Sequence, residues 1–214
     1  MLTYICKILL LFMHILIRAS DEQKNILLAK PILSDTTLLW FDNNITIADA
    51  YIDLLFEDEG NVFEPIKDKL VIVSSVIETC ENLPSNFCRI NAWNSFLEKE
   101  KLEAATLNNA MKPLFESIIK QLGYEVYFVN DIVGLIASRA IAMIINEAYF
   151  GLEDEISTKE QIDTAMKLGT NYPYGPFEWA NKIGVRKIEL LLQALYKTDD
   201  RYKPCDLLIK EFSN

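Results

Sequence analysis

One histidine, His14, stands in a chain of 214 residues. A Ser-His-Asp triad, a histidine-rich metal site or a histidine base would each have to rest on that residue, which removes most such chemistries. Glycine is scarce too. There are seven, none before Gly60, so the first quarter of the chain has no glycine-rich loop to wrap a phosphate. The four cysteines, Cys6, Cys80, Cys88 and Cys205, lack C-x-x-C spacing. That argues against zinc and against a disulfide framework, and fits packing thiols in a reducing compartment; no metal is expected. Positive charge is in deficit, with 21 Lys and Arg against 31 Asp and Glu and a net charge of -10. Such a surface repels phosphate backbones and anionic lipid heads, so neither nucleic acid nor a membrane is an expected partner.

Long apolar runs are also missing. The run from Ile8 to Ile17 is interrupted by His14 and ends at Arg18, about half of the roughly 20 residues a spanning helix needs. A secretory signal fits poorly, because Lys7 is the only charge before that run and the small-residue cleavage pattern is weak. Residues 1–12 therefore read as an upstream extension, and HILIRAS from His14 as a first strand with Ser20 or Asp21 capping the helix after it.

What the chain does have is a hydrophobic half and a regular alternation. HILIRAS, a helix near DEQKNILLA, TTLLWFD, ADAYIDLLF, a helix near VFEPIKD, KLVIVSS, CRINAW and LEAAT predict strands separated by short helices, hence a mostly parallel sheet. NNAMKPLFESIIKQLG carries Met111, Leu114, Phe115, Ile118 and Ile119 at helical spacing, with Gly123 placed to stop it, and EVYFVN predicts a last strand. After Asn130 the strand signal stops. IVGLIASRAIAMIINEAYFGLE predicts a long apolar helix, STKEQIDTAMKLG one opened by a Ser157–Glu160 capping box and closed by Gly169, and GVRKIELLLQALYKT another. Pro176 is placed at the first position of a helix after the turn Tyr172–Pro173–Tyr174–Gly175. The reading is α/β for residues 13–130 and all-α for residues 131–214, with the aromatics Tyr174, Phe177 and Trp179 in the core.

The segments VNDIVGLIASRAIAMIINEA and IDTAMKLGTNYPYGPFEWANKIG resemble the helical carboxy-terminal domain of the 3-hydroxyacyl-CoA dehydrogenases. That family's pattern runs D-x-P-G-F-x-x-N-R, N-E-A and D-x-A-M-x-x-G-x-x-x-P-M-G-P-F. Upstream, ADAYIDLLFEDEGNVFEPIKDKLVIVSS resembles its A-D-x-V-I-E-A-V-x-E stretch at weaker similarity. The resemblance implies a shortened Rossmann-like sheet domain before the helical one, a fatty-acid metabolic setting, acyl-CoA as a ligand, NAD as cofactor, and a homodimer formed through the long helix from Ile132 to Phe150.

It also implies where the chemistry should lie. The family's base is a histidine in G-x-H-F-F-N-P, which matches Arg89-Ile90-Asn91-Ala92-Trp93-Asn94-Ser95. Asn91 then replaces the histidine and Asn94 is retained, while the glutamate that orients the base matches Glu103. An amide takes no proton near pH 7. The family's Asn-Arg pair becomes Ser138-Arg139. A dinucleotide fingerprint needs glycines between the first strand and helix, where this chain has Arg18-Ala19-Ser20-Asp21-Glu22. Ser20 at that helix start and Asp42, at the distance of a ribose-binding acid, are the remaining cofactor candidates; Asp21 and Glu22 would repel a pyrophosphate, and Arg18 reads as an exposed cation. Arg139, Asn146 and Glu147 share a helix face and line either an acyl-CoA cleft or a hydrogen-bonded helix contact. Three functions follow as expectations: a degenerate family member that binds acyl-CoA with little or no hydride transfer, an active NAD-dependent dehydrogenase using Glu103 through water, or a non-catalytic partner of a full-length relative.

Overall fold

The computed structural model describes residues 12–212. Apart from Phe12, the expected extension over residues 1–12 lies outside the described residues, as does Cys6. Among the described residues seven strands form one sheet in the order β2-β1-β3-β4-β5-β6-β7. These are β1 (Met13–Arg18), β2 (Thr36–Trp40), β3 (Ala50–Asp53), β4 (Leu70–Ser74), β5 (Phe87–Ile90), β6 (Lys101–Ala105) and β7 (Glu125–Phe128). All neighbours pair parallel except β5 and β6. The strands β1, β3, β4 and β5 are buried nearly end to end, which is why they read as continuous apolar runs rather than alternating ones.

Helix α1 (Asp21–Leu28) follows β1, the single turns α2 (Phe56–Glu59) and α3 (Asn94–Leu97) follow β3 and β5, and α4 (Lys112–Gln121) precedes β7. Phe115, Ile118 and Ile119 of α4 pack onto the sheet with Leu102 and Leu122, and Gly123 leaves the helix at φ +80°. The expected helix near VFEPIKD does not form. Gly60 (φ +78°) ends α2, the Asn61 carboxamide accepts the Phe63 amide, and the chain runs on through turns that bury Phe63.

The helical half comprises α5 (Ala137–Glu153), α6 (Lys159–Thr170), α7 (Pro176–Ile183), α8 (Val185–Tyr196) and α9 (Asp206–Phe212). Its core joins Ile141, Ile145 and Tyr149 of α5 to Phe177 and Trp179 of α7 and Leu191 and Leu192 of α8. Three details differ from the sequence reading. The long helix begins at Ala137 rather than near Ile132, because Gly134 and Leu135 take positive φ in a turn pinned by the Gly134 amide on Val76 O. Thr158, not Ser157, caps α6, in a box with Gln161 rather than Glu160. Gly169 lies inside α6, which ends on Asn171 in the left-handed conformation. No helix among the described residues is long and apolar enough to cross a membrane.

Candidate functional site

The strand order reverses between β1 and β3, since β2 lies on one side of β1 and β3 and β4 on the other. In open α/β sheets, ligands settle at the carboxyl ends of the strands beside such a switch point. A cleft of about 560 Å³ opens there, lined by Arg18, Phe41, Asn43, Leu55, Glu59 and Val62. His14 lies near the opposite, amino end of β1, where its amide is donated to the Asp49 carboxylate.

Arg18, read from the sequence as an exposed cation, is buried. Its guanidinium donates to Asp53 Oδ2 at 3.2 Å, to the Gly60 carbonyl at 2.7 Å and to Glu59 Oε2 at 2.5 Å. Asp53 ends β3 beside it with no exposure at all. Burial pushes its carboxyl up to about 6, and the Arg18 charge and the Leu55 amide only partly oppose this. The two positions that close β1 and β3 are thereby tied together across the crevice.

The first helix is closed on itself. Ser20 Oγ accepts the Gln23 amide at 3.2 Å, and Gln23 Oε1 accepts the Ser20 amide at 2.9 Å. A G-x-G-x-x-G fingerprint starting where β1 ends would fall on Arg18, Ser20 and Gln23. At the third of these, where glycine lets helix and strand approach, Gln23 is buried and donates to the Leu54 carbonyl at 3.2 Å. Asp42 is exposed just past β2, where it accepts the Asn44 amide at 3.3 Å in a turn.

At the end of β5 the structure brings Asn91, Glu103 and Ser138 into one neighbourhood. The Asn91 amide donates to the Glu103 carbonyl at 3.0 Å. The Glu103 carboxylate accepts the Ala137 amide at 3.0 and 3.1 Å and the Ile136 amide at 3.4 Å, so it caps the start of α5, one residue before Ser138. The side-chain oxygen and nitrogen of Asn91 and the hydroxyls of Ser95 and Ser138 are buried without a hydrogen-bond partner among the described residues. The Asn94 side chain, by contrast, is partnered, donating to Glu22 on α1 at 2.8 Å.

Two carboxylates that sequence reasoning did not single out hold this region. Glu57 accepts the Val76 and Ile77 amides at 2.6 and 2.7 Å and the Trp93 indole at 3.2 Å, and burial raises its pKa. Asp131 accepts from fully buried Arg89 at 2.5 Å, and that guanidinium also donates to the carbonyls of Ser75, Val76 and Ile132. The signal for Asp131 was its partner Arg89, a lone charge in the apolar strand segment FCRI that needs a buried counter-charge, whereas Glu57, one of three consecutive acids in LLFEDE, carried none. The sheet and helical halves are further joined by Lys187 to Asp58 at 2.8 Å, and by Lys182 and Tyr174 to Glu98 at 3.0 and 3.1 Å.

Of the three residues considered for an acyl-CoA cleft, Glu147 is exposed and does not share the face of buried Asn146, while Asn146 donates to the Lys203 carbonyl and accepts the Cys205 amide, both at 2.8–2.9 Å. Arg139 stacks on the Tyr202 ring and donates to its hydroxyl. Both side chains hold the segment before α9. Cys80, Cys88 and Cys205 are free and buried, and burial carries the Cys80 thiol up to about 12. Among the described residues no group of three or more His, Cys, Asp or Glu is placed to hold a metal ion.

Residues 134–213 match the family described as "3-hydroxyacyl-CoA dehydrogenase, C-terminal domain". The chain is 42% identical over 167 residues to 3-hydroxyadipyl-CoA dehydrogenase of Escherichia coli K12, covering 76% of this chain and 35% of that protein. It is 33% identical over 132 residues to 3-hydroxybutyryl-CoA dehydrogenase of Bradyrhizobium diazoefficiens, covering 59% and 45%. It thus spans between a third and a half of the length of these relatives. The fold is that of (S)-3-hydroxybutyryl-CoA dehydrogenase from Ralstonia eutropha, with a TM-score of 0.73, 17% identity and 94% of both chains covered.

Proposed function

The chain belongs to the 3-hydroxyacyl-CoA dehydrogenase family, and from that premise we propose that it is a degenerate member, binding an acyl-CoA-type molecule without ordinary NAD-linked hydride transfer. The observation that carries this reading is Arg18. A dinucleotide pyrophosphate needs close backbone approach and open amides at the first helix. Here the crevice is crossed by the Arg18 guanidinium on its way to Asp53, Glu59 and Gly60, and Ser20 already takes the Gln23 amide. Asp21 and Glu22 add negative charge at the same helix start. These residues do not fit NAD.

The base position supports the same conclusion. Asn91 has no proton-accepting chemistry near pH 7, and Glu103, which should orient a base, is committed to the α5 amides. Asn91, Ser95 and Ser138 remain buried polar groups, and unpaired polar atoms of this kind are where a polar ligand group gains most from being bound. The setting we propose is cytoplasmic fatty-acid metabolism, consistent with three free, buried thiols. We propose as well that the helical half pairs with a second copy of the chain.

Calorimetric titration with NAD, NADP, CoA and an acyl-CoA tests the reading. Heat from the acyl-CoA and none from either dinucleotide is expected. Clear NADH production from a 3-hydroxyacyl-CoA would overturn it in favour of the active dehydrogenase. Binding of none of the four would favour the non-catalytic partner, which co-purification with a full-length relative would then reveal.

A further inference from the structure

A cleft of about 540 Å³ opens between α2 and α8, with residues of both halves of the chain in its walls. Its mouth is polar, where exposed Asp58 takes Lys187 at 2.8 Å. Phe56, Ile77 and Leu190 line it further in, and Trp93, 2% exposed, closes its inner end. A cavity with a charged mouth and an apolar interior suits a ligand that is polar at one end and hydrocarbon at the other.

Trp93 is not free to swing aside. Its indole N–H donates to Glu57 Oε2 at 3.2 Å, while Oε1 of the same carboxylate accepts the Val76 and Ile77 amides at 2.6 and 2.7 Å. Glu57 is thereby held to the backbone that follows β4, and in turn holds the ring at its polar edge. The rest of the ring belongs to the core of the helical half. Turning it out would strand Glu57 Oε2 where burial already disfavours charge, and would leave a void behind the ring. The end wall is therefore rigid, and an interior packed at this density does not admit further methylenes without strain.

Resting on the reading that the chain binds an acyl-CoA-type molecule, we infer that the acyl group enters this cleft and that Trp93, clamped by Glu57, sets its length, so that short acyl chains are accepted and long ones refused. A chain that stops short of the ring gains from each methylene it buries against Phe56, Ile77 and Leu190. One that reaches the ring must displace it or leave its tail outside. Trp93 acts by shape, and Glu57 is a positioning residue that acts through it.

Calorimetric titration of the full chain with acetyl-, butyryl-, hexanoyl-, octanoyl- and decanoyl-CoA tests this. Affinity should rise with chain length to a maximum and then fall about tenfold or more over the next two carbons, the discrimination a hydrophobic pocket makes against an added methylene or two. In Trp93→Ala the maximum should move to a longer chain. Trp93→Phe, which keeps an aromatic ring in the core but loses the indole N–H, should move it in the same direction, and guards against an alanine variant that does not fold. Glu57→Gln keeps a carbonyl oxygen for the Val76 and Ile77 amides but turns an N–H toward the indole N–H, so the ring is released and the fall beyond the maximum should soften. Each comparison is a ratio of affinities read on one sample, which partial unfolding does not alter. A wild-type affinity that climbs without a break to decanoyl-CoA, or a break that stays at the same chain length in all three variants, overturns the role of Trp93 and leaves the acyl-CoA reading standing. Binding of none of the five thioesters overturns both.

Discussion

Arg18 and Asp53, the last residues of neighbouring parallel strands, are joined by a 3.2 Å hydrogen bond across the switch point of the sheet. Both are buried, so the contact is an ion pair that lost its water and gained further partners in exchange: Glu59 and the Gly60 carbonyl for Arg18, the Leu55 amide for Asp53. Removing one member of such a pair costs more than the pair itself contributes, because the other charge stays behind. Arg18→Met should therefore destabilise the protein by about 3–5 kcal/mol at pH 7. The loss should shrink at pH 5, where Asp53 accepts a proton. Urea unfolding at the two pH values measures both; an equal loss at each would mean that Asp53 is not the stranded charge.

The same carboxyl gives a stability profile of unusual sign. Its folded pKa of about 6 lies above its ordinary value of 3.8, so between those values the folded state binds more protons than the unfolded one. The contribution of Asp53 is fully present below about pH 4 and is lost as pH rises through 6. Relative to Asp53→Asn, the wild-type protein should lose about 3 kcal/mol of stability between pH 4 and pH 7. Chemical unfolding of the two proteins across that range checks it. A wild type that gains on the variant as pH rises would mean that the Arg18 charge outweighs burial.

The strand runs were legible because parallel strands buried on both faces leave continuous apolar segments, and HILIRAS and KLVIVSS are of that kind. The absent helix was misread for a local reason: Phe63 and Ile66 have helical spacing, but Gly60 and the Asn61 side chain turn the backbone before a helix can start. Arg18 was misread for a non-local one. Its partners lie 35 and 41 residues away, and nothing in RASDE shows that a strand-end cation is met by Asp53 and Glu59. The resemblance assigned Asn91 and Glu103 their positions, but the direction of the Glu103 carboxylate depends on where α5 begins. That start was set by the Gly134–Leu135 turn and not by hydrophobic period.

Arg89 ties β5 to the connection between the halves through Asp131 and three carbonyls, and has no exposed surface. Arg89→Met keeps much of the volume but leaves a buried carboxylate and several carbonyls unpaired. A loss of about 3–5 kcal/mol is expected, with faster amide exchange across residues 131–136. Protection that stays unchanged there would place the stabilising role of Arg89 within the sheet alone.

Glu103 caps α5 with two amides, so Glu103→Ala should cost about 1–2 kcal/mol, the usual worth of a helix N-terminal cap. The effect should appear in thermal unfolding and leave acyl-CoA binding within a few-fold of wild type. A large loss of affinity with little loss of stability would instead place this carboxylate against the ligand.

Asn91→His restores only the residue type expected of the base. The new imidazole would occupy a buried position whose natural orienting carboxylate is bound to Ile136 and Ala137, so nothing fixes its tautomer or stabilises its charged form. General-base assistance is worth on the order of a hundredfold to ten-thousandfold in rate, and it is realised only if a hydride acceptor is bound. The Arg18 cluster and the Ser20 cap act on that second requirement independently, so the two defects multiply. The variant is therefore expected to show no NAD-linked oxidation of a 3-hydroxyacyl-CoA above the wild-type background, followed by NADH absorbance. Normal turnover by Asn91→His would show that the crevice admits the cofactor despite Arg18. Turnover by the wild type itself, abolished by Glu103→Gln, would show that Glu103 serves as the base through water.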